Sequence, residues 1–406
     1  MKTGLKFVFC LMFAVPAGGL CRAAAPAPPN EAKLVAESNN AFAFDLYAKL
    51  KGAEGNLFFS PFSISTALAM TYAGARGDTA AQMAEVLHFD LPPVLLHRAL
   101  AAAMGRLQAK EEDRGYQLSI ANALWGQEGC RFLPEFLDLT KNHYGAGLRE
   151  VNFARTERAR KTINKWVEKQ THDKIKDLIK KGVLQPETVL VLTNAIYFLG
   201  DWACQFEERR TNDAPFTLLD GKKIKTPMMR QTEDFKYMEG EDFKALGLPY
   251  KNNELSMIIF LPNKADGLPA FEKALTAEGI AKSIAKMREE EVLVALPKFK
   301  MTSEFELSKT LQSMGMTDAF WLPPADFSGM TGKKDLFIAK VIHKAFVEVN
   351  EKGTEAAAAT AVVMHLAVAM PSKTKVFRAD HPFLFLIRDN RTGSILFIGR
   401  VMNPAA

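Results

Sequence analysis

The run Thr188–Leu199, TVLVLTNAIYFL, constrains this chain more than any other segment. It is rich in β-branched and aromatic residues, too apolar for an edge strand and suited to the middle of a sheet. Around it the texture divides. Helical periodicity dominates earlier: Asn40–Lys51 carries a broad apolar face, Ser60 before Pro61 is a cap followed by proline at the first helical position, and that helix stops near Gly74. Further helices fit a start at Asp78–Thr79, then Leu95–Lys110, Pro134–His143 and Arg155–Gln170. Strand patterns dominate later: a hairpin over Phe216–Met229 turning at Asp220-Gly221, then Leu255–Leu261, Glu291–Leu296, Leu336–Val349, and a closing hairpin over Phe383–Val401. Helices first and strands later argue for one mixed α+β domain rather than a βαβ parallel-sheet enzyme.

The N-terminus reads as a secretory signal. Lys2 and Lys6 precede an apolar run from Phe7 to Leu20, and Ala23-Ala24-Ala25 offers small residues for cleavage. The expected division is therefore a signal peptide over 1–25, an extended proline-bearing linker over 26–35, and a single domain over 36–404. No other apolar run is long enough to span a membrane. Cys10 and Cys21 leave with the signal; Cys130 and Cys204 are expected as two buried free thiols, with a single disulfide as the alternative.

The net charge of +6, from 52 basic and 46 acidic residues, is modest for 406 residues and argues against a nucleic-acid partner. The densest basic stretch, Arg155 to Lys181, interleaves Glu157, Glu168, Asp173 and Asp177 and reads as a solvated helix face, with a polyanion site as the minority reading. An enzyme is rejected. Ser283-Ile-Ala-Lys286 has the Ser-x-x-Lys spacing of acyltransferases, but its Lys-Thr-Gly partner occurs only at Lys2–Gly4, and no Gly-x-Ser-x-Gly or His-Glu-x-x-His is present. No metal or cofactor is implied.

One stretch fits neither a core helix nor a linker. In Glu351–Lys375, Gly353 and Thr354 sit where the chain could bend away from the preceding strand. Thr354, Ala356, Ala358, Thr360, Val362, Met364 and Leu366 then fall on one side of an extended chain, all small or apolar. This is strand patterning in a segment that has no obvious place in the starting sheet.

Here the residues match a family. Glu351-Lys352-Gly353-Thr354-Glu355-Ala356-Ala357-Ala358-Ala359-Thr360 resembles the hinge of inhibitory serpins. So do Asn56-Leu-Phe-Phe-Ser60-Pro61-Phe-Ser63-Ile64, Tyr72-Ala-Gly74-Ala-Arg-Gly77-Asp-Thr79, Leu192-Thr-Asn194-Ala-Ile-Tyr-Phe198, Leu296-Pro297-Lys298-Phe299, Asp326-Phe-Ser328-Gly329-Met330 and His381-Pro382-Phe383, in family order. Leu199 stands where the family commonly has Lys, and Arg378 where it has Asn. The resemblance implies about nine helices packed on three β-sheets, with an exposed reactive-centre loop over about 351–377. It implies a monomeric suicide-substrate inhibitor that forms a covalent complex with a serine protease, a cysteine protease being a second class of target. A non-inhibitory carrier or chaperone is the alternative.

The family's usual spacing of sixteen residues after the hinge Glu places the scissile bond at Ala367–Val368, which suits an elastase-like protease; cleavage after Leu366 or Met364 would suit a chymotrypsin-like one. By the same resemblance Ser60, Ser63, Asn194 and His343 form the polar cluster where the sheet opens. Trp202, Lys298 and Glu351 mark the entry region, with an ion pair expected between the last two.

Overall fold

A computed structural model describes residues 29–109, 114–145, 147–354 and 374–406. The signal-peptide reading over 1–25, with Cys10 and Cys21, lies outside them, as does the loop over 355–373.

The first part of the chain is mainly helical: α1 (Pro29–Leu50), β1 (Leu57–Phe59), α2 (Pro61–Tyr72), α3 (Gly77–Leu87) and α4 (Pro93–Gln108). Next come β2 (Tyr116–Gln127), α5 (Pro134–Tyr144), β3 (Leu148–Val151) and α6 (Thr156–Gln170). The apolar run becomes β4 (Leu190–Asp201), followed by β5 (Asn212–Thr217), β6 (Lys223–Glu239), β7 (Phe243–Pro249) and β8 (Leu255–Pro262). Two short helices, α7 (Leu268–Lys273) and α8 (Ala277–Lys286), lead to β9 (Arg288–Pro297) and β10 (Phe299–Glu306). After α9 (Ser308–Ser313) and α10 (Ser328–Thr331) the chain ends in β11 (Lys340–Val349), β12 (Gly353–Thr354), β13 (Lys375–Arg378), β14 (Phe383–Asp389) and β15 (Ile395–Val401).

Among the described residues the strands form two hydrogen-bonded sheets. One has the order β10-β11-β12-β4-β2-β3; the other runs β1-β15-β14-β8-β7-β6-β9-β13, with β5 on β6. The separation into three sheets is not seen at the level of hydrogen bonding because β6 is long enough to belong to both halves of the second. Its first part pairs with β5, its end pairs with β7, and β9 runs alongside most of it. Ten α-helices lie among the described residues.

Helix α2 is buried from Pro61 to Thr71 and has no polar face, which suits a helix enclosed between the sheets. Beside it Phe58 stacks on Phe385 and Phe397, with ring centroids 5.8 and 5.1 Å away. On the opposite face of the six-stranded sheet, Ile163 and Val167 of α6 pack in one cluster with Ala121 of β2, Ala195 of β4 and Phe346 of β11. Helix α6 itself lies against β2, and Lys344 of β11 donates to the Lys176 carbonyl in the connection that follows the helix.

Three sequence expectations need correction. The linker over 26–35 is not extended at its end: α1 starts at Pro29, where proline's fixed φ suits the first turn, and Val35 and Ala36 are already buried. Strand β2 was not expected at all, because its Ser119, Ala121, Asn122 and Ala123 dilute the β-branched signal. Cys130 and Cys204 are both free, but Cys130 is half-buried and Cys204 is exposed, since each lies in a connection just past the end of a strand. No described helix is long and apolar enough to cross a membrane.

Candidate functional site: a seam in the six-stranded sheet

Strands β4 and β11 run parallel, in register from Val191–Lys340 to Tyr197–Phe346. Beyond Phe346 they part, and β12 fills the gap. Thr354 pairs with Val349 of β11 and Gly200 of β4, and Gly353 pairs with Asp201, antiparallel on both sides. The first two residues of the loop thus already form the start of a strand between them.

Halfway along the seam lies a buried polar cluster. His343 and Asn194 are register partners across the seam, and Asn122 is the partner of Asn194 across the β2–β4 pairing, so three polar side chains line up on adjacent strands. His343 Nε2 accepts from the Ser60 amide at 3.2 Å. That leaves the proton on Nδ1, which donates to Asn194 Oδ1. The Asn194 amide donates to Ser63 Oγ and Asn122 Oδ1, and Asn122 Nδ2 donates to the Ser63 carbonyl at 3.1 Å. Ser60 Oγ donates to the Leu396 carbonyl at 2.6 Å and accepts from Ser63 N–H at 3.1 Å, so it caps α2 and ties it to β15 at once. All five side chains are buried.

Burial holds the His343 imidazole neutral, with its pKa lowered to about 3. Among the described residues no charged group hydrogen-bonds it; the Phe305 ring stacks over it at 6.2 Å.

The second constellation sits at the open end. Lys298 Nζ lies 2.8 Å from Glu351 Oε2, and Thr211 Oγ1 donates to Glu351 Oε1 at 2.8 Å. Burial pulls the Glu351 carboxyl upward, but hydrogen bonds from Lys298, the backbone and Thr211 outweigh it and leave the pKa below the ordinary value. Trp202 Nε1 donates to the Asn350 carbonyl at 3.0 Å, and its backbone amide to the Lys352 carbonyl at 2.9 Å. Its ring stacks on Tyr250 at 4.7 Å. The Tyr250 hydroxyl meets Thr354 Oγ1 at 2.7 Å, so the first loop side chain in the seam is fully buried with its polar atom satisfied. Gly353 allows the close approach: a Cβ there would stand 1.9 Å from the Gly200 carbonyl oxygen.

The structure brings Ser60, Ser63, Asn194 and His343 together, and separately Trp202, Lys298 and Glu351 around Gly353 and Thr354. Ala356, Ala357, Ala358, Ala359, Thr360, Ala367 and Val368 fall outside the described residues. Sequence reasoning missed Asn122, Tyr250, Thr211 and Asn350. Only Asn122 left a signal, a lone amide inside the apolar stretch Leu118–Trp125.

Two predictions follow from this geometry. Gly353→Ala should expel β12 from the seam, since the obstructing atom is backbone. Amide exchange over 350–354 and at Gly200 should rise markedly, and unchanged protection would contradict the account. The second concerns pH. A histidine whose folded pKa lies below its unfolded value of ~6.5 contributes fully above that value, and its contribution is lost as pH falls towards the folded pKa. His343 behaves this way, and so does His97, lowered to about 4 by burial and by His143. Urea stability should drop by about 2 kcal/mol per histidine from about pH 7 to about pH 5. His343→Gln should remove about half of that drop, the His97 share remaining, and a profile already flat in the native protein would refute the assignment.

Comparison with known proteins agrees with this arrangement. The family model described as Serpin (serine protease inhibitor) matches residues 37–404. A leukocyte elastase inhibitor from Xenopus laevis is 45% identical over 372 residues, covering 89% of this chain and 97% of the relative. Among solved structures, uncleaved ovalbumin is similar at a TM-score of 0.84 and 32% identity, covering 91% of this chain and 100% of ovalbumin. Human thyroxine-binding globulin complexed with thyroxine is similar at 0.83 and 31%, covering 92% and 99%. With the sheet, its wedged hinge and a family match over most of its length, the chain belongs to the serpin family.

Proposed function

We propose that this serpin is an exported suicide-substrate inhibitor of serine proteases. The observation that carries the reading is β12: Gly353 and Thr354 lie antiparallel to both β4 and β11, in the position that a fully inserted loop strand would extend. In the proposed reaction the protease's serine oxygen attacks the Ala367 carbonyl carbon, the bond to Val368 breaks, and the serine proton leaves on the new amino group of Val368. The acyl ester now tethers the enzyme to residue 367. Insertion of the freed segment replaces one parallel pairing by two antiparallel ones, and parallel pairing is slightly the weaker per residue.

The magnitude suffices. Thr354 to about Leu366 extends over ~43 Å at ~3.3 Å per residue. A dozen or so new ladder bonds at ~1 kcal/mol net each give on the order of 10 kcal/mol. That is comparable with the whole stability of a typical protease, about 5–15 kcal/mol, so insertion can distort the enzyme before the ester hydrolyses. The hinge composition suits rapid entry: Thr354 is small and finds Tyr250, and Ala356–Ala359 bring almost no side-chain bulk.

Small Ala367 fits an elastase-like target, in line with the name of the Xenopus relative; Leu366 or Met364 as the cleaved position fits a chymotrypsin-like one. A cysteine protease would be held as a thioester by the same steps. The inhibitor acts as a monomer, and export rests on residues 1–25. Thyroxine-binding globulin shares the fold and is solved with thyroxine, so a carrier role is the second reading. The small, uncharged hinge favours inhibition.

The test is a denaturing gel after mixing the mature protein with an elastase-like and a chymotrypsin-like protease. A boiling-resistant band near the summed mass is expected, with cleavage sequenced at Ala367–Val368. Thr354→Arg, which would bury an unpaired charge in the seam, should abolish the band while cleavage continues. Cleavage of the native protein by both enzymes without a band would refute inhibition of these classes.

A further inference from the structure

The Ser-x-x-Lys spacing of Ser283 and Lys286, rejected above as catalytic machinery, falls on α8. There Ser283 Oγ donates to the Gly279 carbonyl at 2.8 Å and is spent within its own helix. The same helix face forms one wall of a cavity of about 390 Å³. The other walls are α7, through Ala270 and Phe271, and the turn from β6 into β7, through Glu241, Asp242 and Phe243. The cavity lies at the Pro262 end of β8, and among the described residues none of α1, β14 or β15 lines it.

Each wall is held from outside the cavity. Glu272 of α7 accepts from the Tyr47 hydroxyl and, at 3.0 Å, from Arg400 Nη1. Asn263 clamps the turn: its backbone amide donates to the Asp242 carbonyl at 2.7 Å, and its Nδ2 to the Gly240 and Glu241 carbonyls at 3.2 and 2.7 Å. Thr276 caps α8 by accepting from the Gly279 amide at 3.0 Å, and Ile280 of the same helix is buried. A site formed in advance in this way loses little on ordering when a ligand enters.

The floor is aromatic and the rim acidic. Phe271 meets Phe243 edge-on with centroids 5.0 Å apart and stacks on Phe260 at 5.9 Å. Glu241 and Asp242 are exposed, and neither carboxylate has a hydrogen bond or ion pair among the described residues. Lys264 of the lining offsets only one of these two charges. Lys244 and Lys282, next to the lining in sequence, are already paired with Glu239 and Glu278.

We propose that this cavity binds a small arylalkylamine, with a flat ring against Phe243 and Phe271 and a protonated amine at the rim beside Glu241 and Asp242. The volume is near the lower end of small-molecule sites, about 300–1,000 Å³, and suits a ligand of one or two rings. An edge-to-face ring contact adds to the burial of the apolar body. Exposed charge pairs are individually weak, so the rings hold the ligand and the rim selects its charge. Loop insertion plays no part in it.

Titration calorimetry of the full chain against tryptamine, 3-methylindole and indole-3-propionate tests the site, since the ring is common to all of them. Tryptamine should bind about ten-fold more tightly than indole-3-propionate, with neutral 3-methylindole between them. Replacing both rim carboxylates, Glu241→Gln with Asp242→Asn, should bring the affinities to within about two-fold of one another. A control of equal net charge, Asp90→Asn with Glu187→Gln, should leave the preference intact. Ala270→Phe fills the cavity from an exposed helix position and should abolish binding of every probe. Absence of tryptamine binding at millimolar concentration, or equal affinity of the native chain for tryptamine and the propionate, would overturn the site. So would an equal loss in the control variant, or undiminished binding by Ala270→Phe with an unchanged melting temperature.

Discussion

Seven residue pairs hold β4 against β11 in parallel register, and beyond the last of them the strands separate around Gly353 and Thr354. Both clusters of the candidate site are arranged about that seam. Parallel pairing is the weaker kind, and it ordinarily joins strands linked by a crossover in the same sheet. Here it brings together two strands well apart in sequence, and the chain leaving β11 turns straight back into the gap through Asn350–Gly353. The turn is held by reciprocal backbone hydrogen bonds between Asn350 and Gly353 and by the anchored Glu351. The sheet is closed along most of its length and primed at one end.

The His343–Asn194–Asn122 row explains how such a sheet can remain shut. A buried polar network is stable only while every member is satisfied, and parting β4 from β11 separates His343 from Asn194. In the proposed mechanism the cost of that step falls before the new ladder is complete, so the row would act as a barrier to opening rather than as a source of stability in the final state. Ser60 and Ser63 connect it to α2 and, through the Leu396 carbonyl, to the second sheet. A disturbance of the seam therefore reaches the core between the sheets. The open end is built differently: Trp202 stacks on Tyr250, and the Tyr250 hydroxyl and Thr354 Oγ1 satisfy one another.

How much of this was legible depended on whether local pattern or long-range pairing set the answer. The run from Thr188 to Leu199 announced β4, because burial on both faces leaves a continuous apolar stretch. Ser60-Pro61 announced α2, because the cap and the proline are local chemistry. Strand β2 was hidden: its small and polar residues are tolerated because Asn122 has its partner Asn194 on the neighbouring strand β4, 72 residues on, and no window of sequence contains that partner. Tyr250 and Asn350 belong to the site only because the β4 and β11 ends converge on them. The joining of two expected sheets into one follows from the length of β6, which the hairpin signal at Asp220-Gly221 located without bounding.

The central claim is that the intact protein is a trapped state whose sheet is completed by its own loop. It is tested most directly by thermal unfolding of the intact chain beside the same chain cleaved once within 355–373 by a protease that is not retained. If the cleaved segment enters between β4 and β11, the cleaved form should melt far above the intact one, since on the order of 10 kcal/mol of new pairing is added to the folded state. Equal or lower melting of the cleaved form would show that the seam does not accept the loop, and the account would fail.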